Sequence, residues 1–72
     1  MSAFSERLLA IRKERNIRQT DAAAAAGVSV RGYQYYEKDV KEPTLSVLLA
    51  LADFFDVSLD YLCGRSDNPE RR

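Results

Sequence analysis

The sequence has 72 residues, 46% of them hydrophobic and 31% charged, which is typical of one small folded domain. It contains no histidine and one cysteine, so no zinc ligand set and no histidine-based catalytic site is expected. Its three glycines are isolated and form no Gly-rich phosphate loop. We therefore expect no enzyme, no cofactor, no metal and no small-molecule site.

The sequence also predicts a cytoplasmic protein. Its longest apolar run, Val47 to Ala52, is too short to span a bilayer, and its first residues do not resemble a signal peptide. The unpaired Cys63 suits a reducing compartment. No membrane partner is expected.

The charges are unevenly distributed, although the net charge is zero. Residues 1–38 hold seven basic and four acidic residues, and residues 39–72 hold four basic and seven acidic ones, so the halves carry +3 and −3. A neutral domain of this kind can present a basic face to DNA. A chance scatter of charges is the alternative.

Five helices are predicted. The first covers residues 4–15, because Phe4, Leu8 and Ile11 form one apolar stripe. The second covers residues 19–26, where a run of alanines favours helix and is followed by a glycine suited to the turn.

The third predicted helix, Val30–Lys38, follows the N-cap Ser29 and points Tyr33 and Tyr36 inward. The fourth runs from Thr44 to Phe55. Its buried stripe is predicted to be Leu45, Leu48, Ala52 and Phe55, widened by Leu49, Leu51 and Phe54. A short fifth helix follows Ser58 and stops at Gly64. Residues 1–65 form the predicted domain, and residues 66–72 a polar, flexible tail.

The second and third helices have the sequence shape of a helix-turn-helix. Ala23 lies where the helices cross, and Gly27 makes the turn between them. Val28 and Tyr33 hold the second of these helices on the core. The residues left facing outward are Val30, Arg31, Gln34 and Tyr35.

Several motifs agree in register over Phe4 to Gly64. They are Gln19-x-x-x-Ala23-x-x-x-Gly27-Val28-Ser29, Tyr36-Glu37-Lys38, Glu42-Pro43-Thr44, Leu48 and Val57-Ser58-Leu59-Asp60-Tyr61-Leu62-Cys63-Gly64. With these motifs the chain resembles the Cro/repressor-type (XRE-like) helix-turn-helix family.

The resemblance implies an all-α, lambda-repressor-like bundle of five helices whose third helix enters the major groove of double-stranded DNA. It implies base-reading positions at Val30, Arg31, Gln34 and Tyr35. It also implies that Gln19 binds a backbone phosphate and that Arg12 and Glu37 form a partly buried ion pair.

The chain departs from the family pattern at three positions. Arg18 stands where a Ser or Thr normally caps the second helix, so that end is expected to be less well capped. Ala22 replaces a common leucine and leaves volume to fill. Tyr33 replaces an Ile or Val, and we expect it to fill that volume.

Each outward residue has a specific and a general interpretation. Arg31 can donate to guanine O6 and N7, or it binds a phosphate or only water. Gln34 pairs with adenine or a phosphate. Val30 touches a thymine methyl or packs at the helix start. Tyr35 contacts thymine or the sugar-phosphate, or is partly buried. Lys38 and Lys41 are candidates for phosphate contacts, as is Arg12 beside its ion pair.

The sequence thus predicts a sequence-specific transcriptional regulator, a repressor, which binds a two-fold operator as a homodimer. Dimer contacts are predicted at Tyr61, Leu62 and Cys63. Two alternatives remain: an antitoxin-like module that also binds a protein partner, and an interaction domain that has lost DNA binding.

Overall fold

The computed structural model describes residues 2–71, so Met1 and Arg72, which belong to the two predicted segments, lie outside it. Those residues contain five α-helices and no strand. The helices are α1 (Ala3–Glu14), α2 (Gln19–Ala26), α3 (Val30–Glu37), α4 (Leu45–Phe55) and α5 (Leu59–Leu62). The all-α prediction is confirmed, and helix bounds differ from the predicted ones by a residue or so.

Side-chain caps explain where most of these helices begin. Ser2, Ser29, Thr44 and Ser58 each accept a hydrogen bond from the backbone N–H three residues on, which supplies a partner for a donor that the first turn leaves free. The exception is α2, whose N-cap Arg18 makes no capping bond, as predicted. Arg18 instead pairs with Asp21 at 3.0 Å.

Helix α4 lies against both α2 and α5, while α1 packs on α3 and α5. The shared core is made by fully buried side chains from every helix. Its largest members are Tyr33, Phe55, Leu8, Leu51, Leu62 and Val57. Ala22 and Tyr33 are both fully buried in this one cluster. That the tyrosine fills volume left by the alanine stays a prediction.

The buried face of α4 matches the predicted one only in part: Ala52 is buried and Leu48 packs on the core as expected, but other predicted positions are exposed. Val47, Leu51 and Phe55, spaced four residues apart, point into the core, whereas Leu45 is 64% exposed. Leu49 and Phe54 are also exposed. Because α4 is apolar on nearly all sides, hydrophobic periodicity alone does not single out the face that packs.

The segment after α5 contacts the body of the domain. The backbone N–H of Ser58 donates to the carbonyl of Pro69 at 3.0 Å, and Arg71 pairs with Asp53 at 2.5 Å. The flexible-tail prediction does not anticipate these contacts. An open cleft of about 560 Å³ lies between this segment, α4 and α5, with Leu49 and Leu59 among its apolar residues and several charged ones at its walls.

Candidate nucleic-acid interface

The turn between α2 and α3 is built from backbone geometry that the sequence encodes. Gly27 has φ +73°, in the left-handed region that a side chain disfavours, and the N–H of Val28 donates to the carbonyl of Ala23 at 3.1 Å. Ala23 itself is buried, which allows the two helices to approach closely. Ser29 then starts α3 by capping Gly32. The helix-turn-helix is therefore present as predicted.

Helix α3 has one face in the core and one face outside. Tyr33, Tyr36 and Glu37 are buried. The opposite face carries the four predicted base-reading residues: Val30 and Arg31 are exposed, and Gln34 and Tyr35 are half-buried. The structure thus brings these four side chains together on one accessible surface.

Two of these outward residues contact each other. The Nε–H of Arg31 donates to the hydroxyl of Tyr35 at 2.8 Å, and the guanidinium carbon lies 5.8 Å from the centroid of the tyrosine ring. The two positions are one helical turn apart, a spacing at which side chains meet. Among the described residues only Nε of Arg31 is engaged, so both of its terminal nitrogens remain free to donate.

Beneath this face, Arg12 of α1 and Glu37 of α3 form the ion pair that the resemblance implies. Nε and Nη2 of Arg12 donate to the carboxylate oxygens of Glu37 at 2.5 and 3.1 Å, and Nη1 donates to the carbonyl of Ile17 at 3.0 Å. Two parallel N–H···O bonds of this kind are strong and geometrically specific. All three guanidinium nitrogens are therefore engaged inside the protein, which weighs against Arg12 as a phosphate ligand.

The carboxyl group of Glu37 remains charged in this setting. Burial by itself raises the pKa of Glu37, but the neighbouring polar side chains, Arg12 foremost, outweigh it, so the pKa lies below its ordinary value. The carboxylate oxygens of Glu37 therefore accept hydrogen bonds from the side-chain nitrogens that face them.

Gln19, the predicted phosphate ligand at the start of α2, joins the same network. Its Nε2 donates to Glu37 at 3.1 Å, and its Oε1 accepts from Nε2 of Gln34 at 3.0 Å. Sequence reasoning missed this link, because the two glutamines are fifteen positions apart, which corresponds to no regular spacing. Lys38 and Lys41 are exposed just beyond the end of α3.

One polar atom near the pair has no partner. The hydroxyl of Tyr33 is buried and makes no hydrogen bond among the described residues. Desolvation raises the pKa of Tyr33 well above its ordinary value of 10.0, because the phenolate would be charged in an apolar environment.

The predicted dimer residues on α5 divide into two groups. Leu62 is fully buried, so its assignment as a dimer contact is wrong: this side chain closes the core instead. Tyr61 and Cys63 are half-buried. The guanidinium carbon of Arg7 lies 4.0 Å from the ring centroid of Tyr61.

Among residues 2–71, no helix has the length and hydrophobicity that crossing a membrane requires. Within the same residues, no three His, Cys, Asp or Glu side chains are grouped as a metal ion would need.

A fold of five helices with an accessible α3 defines a helix-turn-helix module. A family model described as helix-turn-helix matches residues 8–62, and the chain belongs to that family.

Curated relatives agree with this assignment. The HTH-type transcriptional regulator YobD of Bacillus subtilis is 34% identical over 93% of this chain and 60% of its own length. The cryptic phage CTXphi transcriptional repressor RstR of Vibrio cholerae is 40% identical over 86% of this chain and 55% of its own length. The chain therefore spans about half to three fifths of the curated relatives it matches.

Solved structures agree as well. The P22 c2 repressor in complex with a synthetic operator superposes with a TM-score of 0.80 at 35% identity, covering 88% of this chain and 96% of that one. The DNA-binding domain of the same repressor in solution gives a TM-score of 0.77 at 37% identity, over 82% of this chain and 78% of that one.

Proposed function

We propose that this chain is a sequence-specific DNA-binding transcriptional regulator, a repressor, that reads the major groove with α3. The observation that carries the proposal is the two-sided construction of α3. Its inner face is fixed in the core by Tyr33, Tyr36 and the Arg12–Glu37 pair, and its outer face presents Arg31, Gln34 and their neighbours. An anchored helix with polar side chains on its free face suits the major groove, which is about 12 Å wide.

Arg31 and Gln34 supply different chemistry to that face. The two free terminal nitrogens of Arg31 match the paired acceptors O6 and N7 of guanine, while Val30 and Tyr35 offer apolar surface to a thymine methyl. Lys38 and Lys41, beyond the end of α3, are placed for phosphates, and Gln19 retains one N–H for the same purpose. The P22 c2 repressor, a structural neighbour solved in complex with a synthetic operator, supports DNA as the partner.

We further propose that two copies bind a two-fold operator in the cytoplasm. A single helix in one groove reads few base pairs, and a second copy doubles the site. Tyr61 and Cys63 remain as candidate contacts between the copies. The cytoplasmic location follows from the proposed partner.

Matched substitutions at the two ends of α3 test the function. Arg31→Ala should cost about 1–3 kcal/mol on the best site and relax preference at one position of each half-site, because it removes a base contact. Lys38→Ala should weaken binding to all sequences alike and flatten the log–log salt slope by about one unit. The site is first selected from a random DNA pool, and a panel of its single-base variants is then titrated with each protein.

Two outcomes would contradict these assignments. An even loss across all bases for Arg31→Ala would assign Arg31 to a phosphate. Selection of no site, together with affinity that does not change with salt, would contradict DNA binding itself.

A further inference from the structure

A continuous chain of side-chain hydrogen bonds runs from the core to the outer face of α3. It begins at the buried carboxylate of Glu37, which already accepts from Arg12. Gln19 donates to that carboxylate at 3.1 Å, and Gln34 donates to Gln19 at 3.0 Å. The last member, Gln34, is one of the residues on the proposed DNA-reading surface.

The charge of Glu37 fixes the direction of every bond in this chain. An ionised carboxylate only accepts, so the amide of Gln19 must turn its NH₂ group toward Glu37. The oxygen of Gln19 then faces Gln34, and that oxygen requires a donor, so Gln34 must turn its own NH₂ group inward. Flipping either amide would place two acceptors or two donors face to face.

A fixed direction has a consequence for recognition. With one N–H of Gln34 committed to Gln19, its remaining N–H and its oxygen stay available in one spatial order. That donor–acceptor pair is complementary to N7 and N6 of adenine, which no other base offers in the major groove with the same geometry. A glutamine free to rotate offers the two groups in either order.

We propose that Gln19, held by Glu37, is a positioning residue that orients the amide of Gln34 for adenine and thereby sets base preference at one position of each half-site. This inference rests on the proposed function. It differs from a phosphate role for Gln19, which would affect all bases equally. A phosphate contact through the second N–H of Gln19 can coexist with it.

The test is a double-mutant cycle read out as base preference. Wild type, Gln19→Met, Gln34→Met and the double variant are titrated against a selected site and its three alternatives at each base pair. Methionine keeps the length of the side chain and removes both hydrogen-bonding groups. Thr20→Ala, at an exposed neighbour of Gln19 on α2, is the matched control.

The expected results concern the one base pair at which Gln34→Met abolishes a preference for adenine of roughly 5- to 100-fold. There, Gln19→Met should reduce the preference about fivefold, the factor that one hydrogen bond supplies. Once Gln34 is methionine, Gln19→Met should change preference no further, and Thr20→Ala should leave it intact. A Gln19→Met loss that is equal for all four bases overturns the proposal, as does a Gln34→Met variant that keeps every preference.

Glu37→Gln gives a second, independent test. A neutral amide at position 37 can turn either its oxygen or its NH₂ group toward Gln19, so it no longer fixes the orientation of Gln19. Folding of this variant is checked by thermal melting, and binding is measured below its melting transition. Reduced adenine preference at the same base pair supports the proposal, and an undiminished preference overturns it. Failure of the wild-type chain to select any site overturns the proposed function and this inference together. Retained selection without the coupling overturns the inference alone.

Discussion

At the scale of single residues, Glu37 belongs both to the buried ion pair and to the proposed recognition network. Its carboxylate accepts two hydrogen bonds from Arg12 and one from Gln19, and its side chain is almost fully buried. Removing one member of such a pair leaves the other desolvated and uncompensated, which costs more than the pair itself contributes. A substitution at Glu37 therefore tests the fold as well as the interface.

We predict that Glu37→Gln lowers the free energy of unfolding by about 1–3 kcal/mol at pH 7. Because the pKa of Glu37 is depressed in the folded state, its contribution is present above the ordinary value of 4.5 and is lost as pH falls through the folded pKa. The gap between the two proteins should therefore narrow below pH 4.5. Urea denaturation across a pH series measures it.

Glu14→Gln is the control, since Glu14 is exposed at the end of α1. It should track the wild type at every pH. If the difference in free energy of unfolding between wild type and Glu37→Gln stays constant as the pH falls below 4.5, the charge of Glu37 does not contribute to stability.

Some residue-level features follow from the sequence and others do not. The Arg12–Glu37 pair comes from the family resemblance, and the outward position of Arg31 follows from helical periodicity. The contact of Gln19 with Gln34 depends on the angle at which α2 crosses α3, and helix propensities do not specify that angle. The missing partner of the Tyr33 hydroxyl likewise emerges only when the core is assembled.

At the scale of elements, local signals account for the helices better than for their packing. Serine or threonine caps mark the starts of four helices, and glycine or polar residues mark the ends, because these signals act within one turn of chain. Helix α2 lacks such a cap, and its run of alanines predicts it instead. The buried face of α4 was predicted only in part: Ala52 and Phe55 are buried as expected, but Leu45 is exposed. Leu45 and Leu49 are as hydrophobic as Leu51, so hydrophobicity does not tell them apart. Only the neighbours of α4 decide between such faces.

Two left-handed glycines should differ in their tolerance of a methyl group. Gly27→Ala should cost about 1–2 kcal/mol, because its φ of +73° is strained for alanine while nothing lies within 4 Å of the added carbon. Gly64→Ala adds steric overlap with Ala3 at the start of α1, so its loss should exceed that of Gly27→Ala by roughly 1–3 kcal/mol.

Chemical denaturation of both variants measures this difference. The matched test is Gly64→Ala in an Ala3→Gly background, where the overlapping carbon is gone and the extra loss should largely disappear. Equal losses at the two glycines would show that α1 moves away from Gly64 at little cost.

At the scale of the whole molecule, size limits what one copy can read. The longest dimension of the described chain is 29 Å, whereas successive major grooves on one face of DNA lie about 34 Å apart. One chain is therefore too short to reach both half-sites of the proposed two-fold operator, which requires two copies.

We predict two chains per selected operator in sedimentation experiments. Tyr61→Ala should raise the protein concentration at which the second copy joins, because Tyr61 is a remaining candidate contact. Phe54→Ala, at an exposed aromatic residue on α4, serves as the control and should leave that concentration unchanged. A strict 1:1 complex on the best site would exclude the two-copy arrangement.

The buried phenol of Tyr33 also couples tyrosine ionisation, which is measured by absorbance, to unfolding in alkali. With its pKa raised, the folded protein keeps this ring protonated while the unfolded chain ionises near pH 10, so the free energy of unfolding should fall as pH rises above that value. Of the four tyrosines in the chain, Tyr33 should then add its tyrosinate absorbance only as helicity is lost. Tyr33→Phe, which keeps the ring and removes the partnerless hydroxyl, should shift that midpoint to higher pH. An unchanged midpoint would show that Tyr33 does not couple ionisation to unfolding.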